Sequence, residues 1–365
     1  MFVRIAQVAP LTEPVPPKLY GGTERVVSWL TEELVRQGHE VTLFASGDSQ
    51  TQAELVTVCK MGLRLDDTCK DPFARHVLLV TEVSKRGRQF DMIHSHLDYF
   101  LFPYLRHMRV RSVHTLHGRL DIPDLKPLYE EFSDMPLVSI SNHQRGPIER
   151  ANWAATVYHG LPEDMYSFTE KPQDYLLFLG RICPEKRPDR AIEIAKRLGM
   201  KLLIAAKVDP VDRKYYENQI KPLMQSKYVE YVGEVNDAQK NELIGNAKAL
   251  VFPIDWPEPF GLVMIESLAC GTPVIAFDCG SVPEVIDHGV TGFRVNTVDE
   301  AIEAITNIDA IDRRVCRDTF MERFTARKMA ESYVSLYQQI LDPNSEIHSL
   351  VPFSNKVRQP LLKTQ

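Results

Sequence analysis

Short apolar runs alternate with amphipathic stretches along most of this chain, in two consecutive series. No other feature narrows the possible folds as much. Strands separated by helix-length segments pair in parallel, with the helices packed on the sheet faces. The run VRIAQVAP reads as a buried strand and leads through the Pro-rich loop TEPVPPKLYGG into a helix over about Thr23 to Gln37. Val26, Val27, Leu30 and Leu34 fall on one face of that helix. Gly38 ends it and HEVTLFAS is the next strand, which completes a βαβ unit. FDMIHSH, RSVHTLHG, MPLVSIS and AATVYHG supply further strands.

The pattern lapses over LPEDMYSFTEKPQD, a polar stretch with two prolines that reads as an interdomain linker. A second series follows: YLLFLGR, a helix over Pro188 to Leu198, then KLLIAAK, YVEYVGEV, KALVFPI, TPVIAFD and GFRV as strands. ERFTARKMAESYVSLYQQIL reads as a terminal helix, followed by a loose tail. The expected architecture is α/β, with two doubly wound domains facing each other across a cleft. The boundaries are residues 1–165, residues 166–340 and a tail over 341–365. A length of 365 residues agrees with two domains. Ligands of such sheets bind beyond the carboxyl ends of the strands.

Composition removes several classes of function. Lys plus Arg number 43 against 49 Asp plus Glu, a net charge of -6, and residues 1–160 carry 18 basic and 19 acidic side chains. Neither half offers an extended basic footprint, so nucleic acid is not an expected partner. No apolar run approaches the roughly 18 residues of a membrane span. The opening MFVRIAQVAPLTEP is interrupted too early to be a signal peptide. The six cysteines form no C-x-x-C pair and no zinc spacing, so they read as reduced thiols of a cytoplasmic protein. Repeats are absent. Neither G-x-G-x-x-G nor G-x-x-x-x-G-K-[ST] occurs, which argues against nicotinamide or flavin enzymes and against ATPases.

The chemistry concentrates at strand ends. In FPIDWPEPFGLVMIESLACGTPVIAF, Glu258 lies between two prolines and is held out of helix, in the loop after the strand over 249–253. Pro259 suits the first turn of a helix running to about Cys270, whose N-terminus is an anion site. Glu266, about two turns in, presents a second carboxylate able to take two vicinal hydroxyls such as those of a ribose. In LFLGRICPEKRPD, Arg181 and Lys186 stand beside a helix N-terminus and read as either a pyrophosphate clamp or a solvated charge cluster with Glu185 and Arg187. Gly21 and Gly22 open the first helix, where glycine lets a phosphate approach the backbone or makes an ordinary turn. His117 ends one strand and His94 and His96 its neighbour, which places three histidines toward the cleft with no Asp-x-Asp to suggest a metal.

Taken together, E-P-F-G-L-x-x-x-E (Glu258 to Glu266), G-R-I-x-P-E-K (Gly180 to Lys186), Y-G-G-T-E-R (Tyr20 to Arg25), G-S-V-P-E-V-I and H-G-V-T-G-F resemble the retaining family-four glycosyltransferases (glycosyl transferases group 1) of GT-B fold. The resemblance spans about residues 3–340. It implies that Arg181 and Lys186 bind the donor diphosphate and that Glu266 holds the ribose. It further implies that Glu258 and the backbone of Phe260, Gly261 and Leu262 hold the transferred sugar, with Val235 contacting the base. Gly22 approaches the diphosphate from the other domain, and His117 sits by the sugar and the acceptor. His159-Gly160 and Gly280-Ser281 depart from the family's usual Asn-Gly and Gly-Gly.

The expected activity is transfer of a hexose, by default glucose from UDP-glucose, to an acceptor hydroxyl in polysaccharide or glycoconjugate synthesis. Neither metal nor cofactor is expected. The alternatives are an epimerase or phosphorylase of the same fold, or an idle sugar-nucleotide-binding subunit. His94 and His96 are expected on the acceptor side, with the acceptor a sugar, a lipid-linked sugar or a small metabolite. Lys85, Arg86, Arg88, Arg106, Arg109 and Arg111 form a modest basic cluster for peripheral contact with the inner membrane face, or else a solvated helix face.

Overall fold

Every strand pairs in parallel, as the alternating pattern requires. In the computed structural model, which describes residues 2–18, 21–342 and 344, the first sheet is built from β1 (Arg4–Val8), β2 (Glu40–Ala45), β3 (Glu54–Thr57), β4 (Met92–Ser95), β5 (Ser112–Thr115), β6 (Leu137–Ser139) and β7 (Trp153–Thr156). Its spatial order is β3-β2-β1-β4-β5-β6-β7. The second sheet has β8 (Tyr175–Arg181), β9 (Lys201–Lys207), β10 (Val229–Gly233), β11 (Ala249–Phe252), β12 (Val274–Phe277) and β13 (Gly292–Val295), ordered β10-β9-β8-β11-β12-β13. Strand order reverses between β1 and β4 and again between β8 and β11, so each sheet opens a crevice at those carboxyl ends.

Local sequence explains the elements that matter. Tyr175 to Phe178 of β8 are all buried, the continuous apolar run expected of a parallel strand covered on both faces. The first helix is Gly22–Arg36, and its stripe of Val26, Val27, Leu30 and Leu34 is buried against the first sheet. Full burial of one such leucine is worth about 1.5–3 kcal/mol. The short edge strand β3 carries too little apolar signal to be read from sequence, and it pairs only with β2.

The two units are joined twice. After β7 the chain passes through His159 and Gly160 toward the second sheet. It returns at Phe324–Ala326, where Leu161 N donates to Phe324 O at 2.9 Å and Ala326 N to Leu161 O at 2.7 Å. A Cβ at Gly160 would lie 2.1 Å from Thr325 O, so only glycine allows the two crossings to touch. The terminal helix Ala326–Leu341 then packs on the helix Gly22–Arg36 of the first unit. Its Tyr337 and Tyr333 bond to His94 and Thr115 at 2.7 and 2.9 Å. Residues 326–340, placed by sequence in the second domain, therefore complete the first. One apolar cluster runs through the seam, from Ile5 and Leu30 past Tyr333 and Tyr337 to Leu176 and Phe252. Most of the expected tail, 341–365, lies outside the described residues.

Candidate active site

A cavity of about 620 Å³ lies between the carboxyl ends of the two sheets. Its second-unit wall is built by the loop after β11. Glu258 stays out of helix as its flanking prolines dictate, and Trp256 Nε1 donates to its Oε2 at 2.9 Å. Lys186 donates to the same oxygen and lies 5.3 and 5.5 Å from the ring centroids of Trp256 and Phe252. Two aromatic faces and a carboxylate thus hold the ammonium at the cleft wall.

The helix after this loop begins at Leu262, not at Pro259, and ends at Ala269. Gly261 ends the loop with φ 79, a left-handed conformation, and a Cβ there would come 2.9 Å from Met264 Cε. That turn delays the helix by three residues, so Glu266 stands one turn from its start rather than two. Glu266 is buried, and Lys240 Nζ lies 2.6 Å from its Oε1. Arg181, the last residue of β8, lies 3.4 Å from Asp209 and 3.5 Å from Asp212. The expected cations are brought together, and each already faces a carboxylate that offsets the cost of its partial burial.

Gly21 and Gly22 form part of the opposite wall, at the start of the helix Gly22–Arg36. A Cβ on Gly22 would sit 3.8 Å from Leu262 Cδ1, so the N-termini of the helices Gly22–Arg36 and Leu262–Ala269 converge across the cleft. Free N–H groups and positive dipole ends from both units then face one place, which favours an anion. Arg25 reaches over the gap to Asp237 at 2.7 Å.

The histidines divide. His117 lines the cavity and His159 stacks beside it at 5.2 Å. His94 and His96 do not line the cavity, contrary to the sequence expectation. His94 is fully buried between Tyr337 and Thr115, at 2.7 Å from each. His96 is buried beneath His117 and bonds to its Nε2 at 2.8 Å, while its own Nε2 faces Gln7 Oε1 at 2.9 Å. Tyr337 of the terminal helix covers His94 and His117 covers His96, contacts that position at a strand end does not disclose. Burial lowers His117 to about 3, so its ring is neutral at physiological pH.

The remaining expected residues, Arg181, Lys186, Val235, Glu258, Phe260, Gly261, Leu262 and Glu266, all line the cavity. The profile of the glycosyl transferases group 1 matches residues 165–311, and that of glycosyltransferase family 4 matches residues 20–159. The chain belongs to the family-four, group 1 glycosyltransferases of GT-B fold. An uncharacterized glycosyltransferase of Methanocaldococcus jannaschii is 25% identical over 79% of this chain and 85% of its own length. D-inositol 3-phosphate glycosyltransferase of Mycolicibacterium smegmatis is 26% identical over 80% of this chain and 79% of its own. The crystal structure of Anabaena HepE in complex with UDP and glucose superposes with a TM-score of 0.71 at 17% identity, over 92% of this chain and 99% of that one.

Several residues of this glycosyltransferase cleft escape sequence reasoning. Lys240 lies 26 positions from its partner, in a helix whose only local signature is the capping box of Asn236 and Gln239. Asp98 lines the first-unit wall with φ 48, a left-handed backbone uncommon outside glycine and best tolerated by Asn and Asp. Asp237 pairs with Arg25 and Glu284 with Asn142 and His143 across the seam; nothing near Asp237 in sequence distinguishes it from a solvated surface charge, and Glu284 lies in the G-S-V-P-E-V-I motif without any local sign of its partners. Among the described residues, no group of three or more His, Cys, Asp or Glu is gathered to hold a metal ion, and no helix is long and apolar enough to cross a membrane.

Proposed function

We propose that this glycosyltransferase moves a hexosyl unit, glucose by preference, from UDP-glucose to an acceptor hydroxyl, with retention of configuration and without a metal. The observation that carries this is the convergence, in one cleft, of two helix N-termini, two cations and two glutamates. Arg181, Lys186 and the N–H groups at Gly22 and Leu262 would stabilise charge on the departing diphosphate, where preorganised donors act most strongly. Glu266, already oriented by Lys240, would take the ribose hydroxyls through its other oxygen. Glu258 would exchange its bond to Lys186 for sugar hydroxyls as the ammonium turns to phosphate.

No further carboxylate is assigned as a nucleophile, so transfer would occur on one face, with the leaving phosphate taking the acceptor proton. Neutral His117 would accept or donate a hydrogen bond near the reacting sugar without carrying charge. The binding of UDP and of UDP-glucose by the Anabaena neighbour supports the donor, and the inositol 3-phosphate relative supports a small polar acceptor. Polysaccharide or glycoconjugate synthesis remains the proposed setting, with any contact at the inner membrane face peripheral.

The test is turnover of UDP-glucose against a panel of acceptors, with and without EDTA, and the anomeric configuration of the product read by NMR. Lys186→Ala and Arg181→Ala should each lower kcat by about 100-fold or more while leaving the circular dichroism spectrum intact. Near-normal turnover in either variant would remove the clamp. An inverted product would remove the retaining mechanism, and loss of activity in EDTA would remove metal independence.

A further inference from the structure

One four-residue helix touches both halves of the cleft. Val282–Val285 is preceded by Ser281, whose N–H donates to Glu258 O at 3.0 Å and whose hydroxyl donates to Phe260 O at 2.7 Å. At Gly280, with φ 62, a Cβ would come 2.3 Å from Glu258 N, so this turn and the donor-sugar loop are in backbone contact. Three residues past Ser281, the Glu284 carboxylate crosses to the first unit. Its Oε1 accepts from His143 N at 2.8 Å, and its Oε2 accepts from Asn142 N at 2.7 Å, Asn142 Nδ2 at 3.0 Å and Tyr158 Oη at 2.9 Å. Burial and the bond to Glu284 raise Tyr158 to about 12, which keeps its hydroxyl a donor.

The contact continues toward the acceptor side. Gln144, next in sequence, donates from Nε2 to both Leu116 O and Gly118 O at 2.8 Å, and these residues flank His117. Its Oε1 accepts from Ile140 N at 2.9 Å, which fixes the amide. On the far side, Arg323 donates to Glu284 O at 2.6 Å and pairs with Asp287 at 2.9 Å, beside the chain crossing at Phe324. Bonds to an ionised carboxylate are shorter and stronger than neutral ones, so this joint holds a defined geometry.

We propose that Glu284 is a positioning residue that ties the donor-sugar loop at Glu258–Phe260 to the loop carrying His117. Transfer then requires its carboxylate to be seated on Asn142 and His143. Nucleotide binding, which belongs to the second unit, does not. The proposal deepens the transferase reading above and rests on it for the meaning of turnover.

The experiment compares the full chain with Glu284→Ala and Glu284→Gln in three measurements: UDP affinity by calorimetry, kcat with UDP-glucose and acceptor, and radius of gyration by X-ray scattering without ligand. Glu284→Ala should leave UDP affinity within about twofold, lower kcat about 10-fold or more, and expand the particle, since the charge-assisted bonds to Asn142, His143 and Tyr158 are all lost. Glu284→Gln should recover part of kcat, because one amide oxygen still accepts from the backbone. Wild-type kcat in Glu284→Ala, or an equal fall in kcat and UDP affinity, overturns the proposal. Should Glu284→Ala fail to fold, Tyr158→Phe removes one of the four bonds and should lower kcat a few-fold at unchanged UDP affinity; unchanged kcat overturns it. If the wild-type chain turns over no nucleotide sugar, the transferase reading fails, and an unchanged radius of gyration in Glu284→Ala still overturns the clasp on its own.

Discussion

At the scale of single residues, the cleft is a set of opposite charges held at hydrogen-bond and ion-pair distances, such as 2.6 Å between Lys240 and Glu266 and 3.5 Å between Arg181 and Asp212. Lys240 and Glu266 are the most enclosed pair, with side chains 12% and 6% exposed. Removing one partner leaves the other charged and desolvated, which costs about 3–5 kcal/mol. Lys240→Ala should therefore lower the unfolding free energy obtained from urea denaturation by that amount, and Lys240→Met with Glu266→Gln should recover much of it. Both variants should bind UDP more weakly if Glu266 takes the ribose hydroxyls as proposed, because its carboxylate is then lost or misplaced. A Lys240→Ala protein as stable as wild type would show that water reaches the pair more freely than its exposure indicates.

Among the secondary-structure elements, strands β4 and β5 and the loop after β4 carry a group of buried, neutral histidines: His94 lies under the terminal helix, His96 under His117, and His114 against Phe102. Burial lowers His114 to about 3, and drives His94 and His96 well below the ordinary histidine range. The unfolded chain takes up these protons near pH 6.5 while the folded one does not. Their contribution to stability is thus full above about pH 6.5 and is lost as pH falls toward 3, with a slope approaching about 1.4 kcal/mol per pH unit for each histidine. Thermal melts between pH 7.5 and 4.5 should show Tm falling below about pH 6.5, and His114→Phe should flatten the curve. A Tm independent of pH over that range would mean that the histidines are hydrated.

The same elements show what the sequence can and cannot convey. Both sheets were legible, because buried parallel strands are continuous apolar runs and their helices carry one apolar stripe. Glu258, Glu266, Arg181 and Lys186 were legible as well, being close in sequence to strand ends and prolines that fix their loops. His94 and His96 lie outside the cavity because Tyr337 and His117 cover them, contacts made by residues distant in sequence, and Gly261 delays to Leu262 the helix start that Pro259 marks in the sequence. Lys240 and Asp237 acquire their roles only from partners 26 and 212 residues away, and Glu284, although within the G-S-V-P-E-V-I motif, from partners about 140 residues away. Pairings at that distance leave no local pattern.

For the whole molecule, the two sheets share a core cluster and the cleft is bridged by Arg25–Asp237 and by Glu284. A nucleotide bound at the second unit should therefore stabilise both. At 100 times Kd, UDP contributes about 2.7 kcal/mol. Differential scanning calorimetry should show a single transition displaced upward. Two transitions, of which only one moved, would mean that the units unfold independently.

The second crossing at Gly160 and Thr325 bears on how the protein is made. Strands β1–β7 leave the ribosome well before the helix Ala326–Leu341, yet Tyr333 and Tyr337 of that helix close the core around His94 and Thr115. The first half of the chain must wait, incompletely covered, while the second is synthesised and folds as a contiguous unit. A released chain truncated before residue 326 should thus be protease-resistant in its later half and sensitive in its earlier one, reversing the usual order in which N-terminal domains mature first.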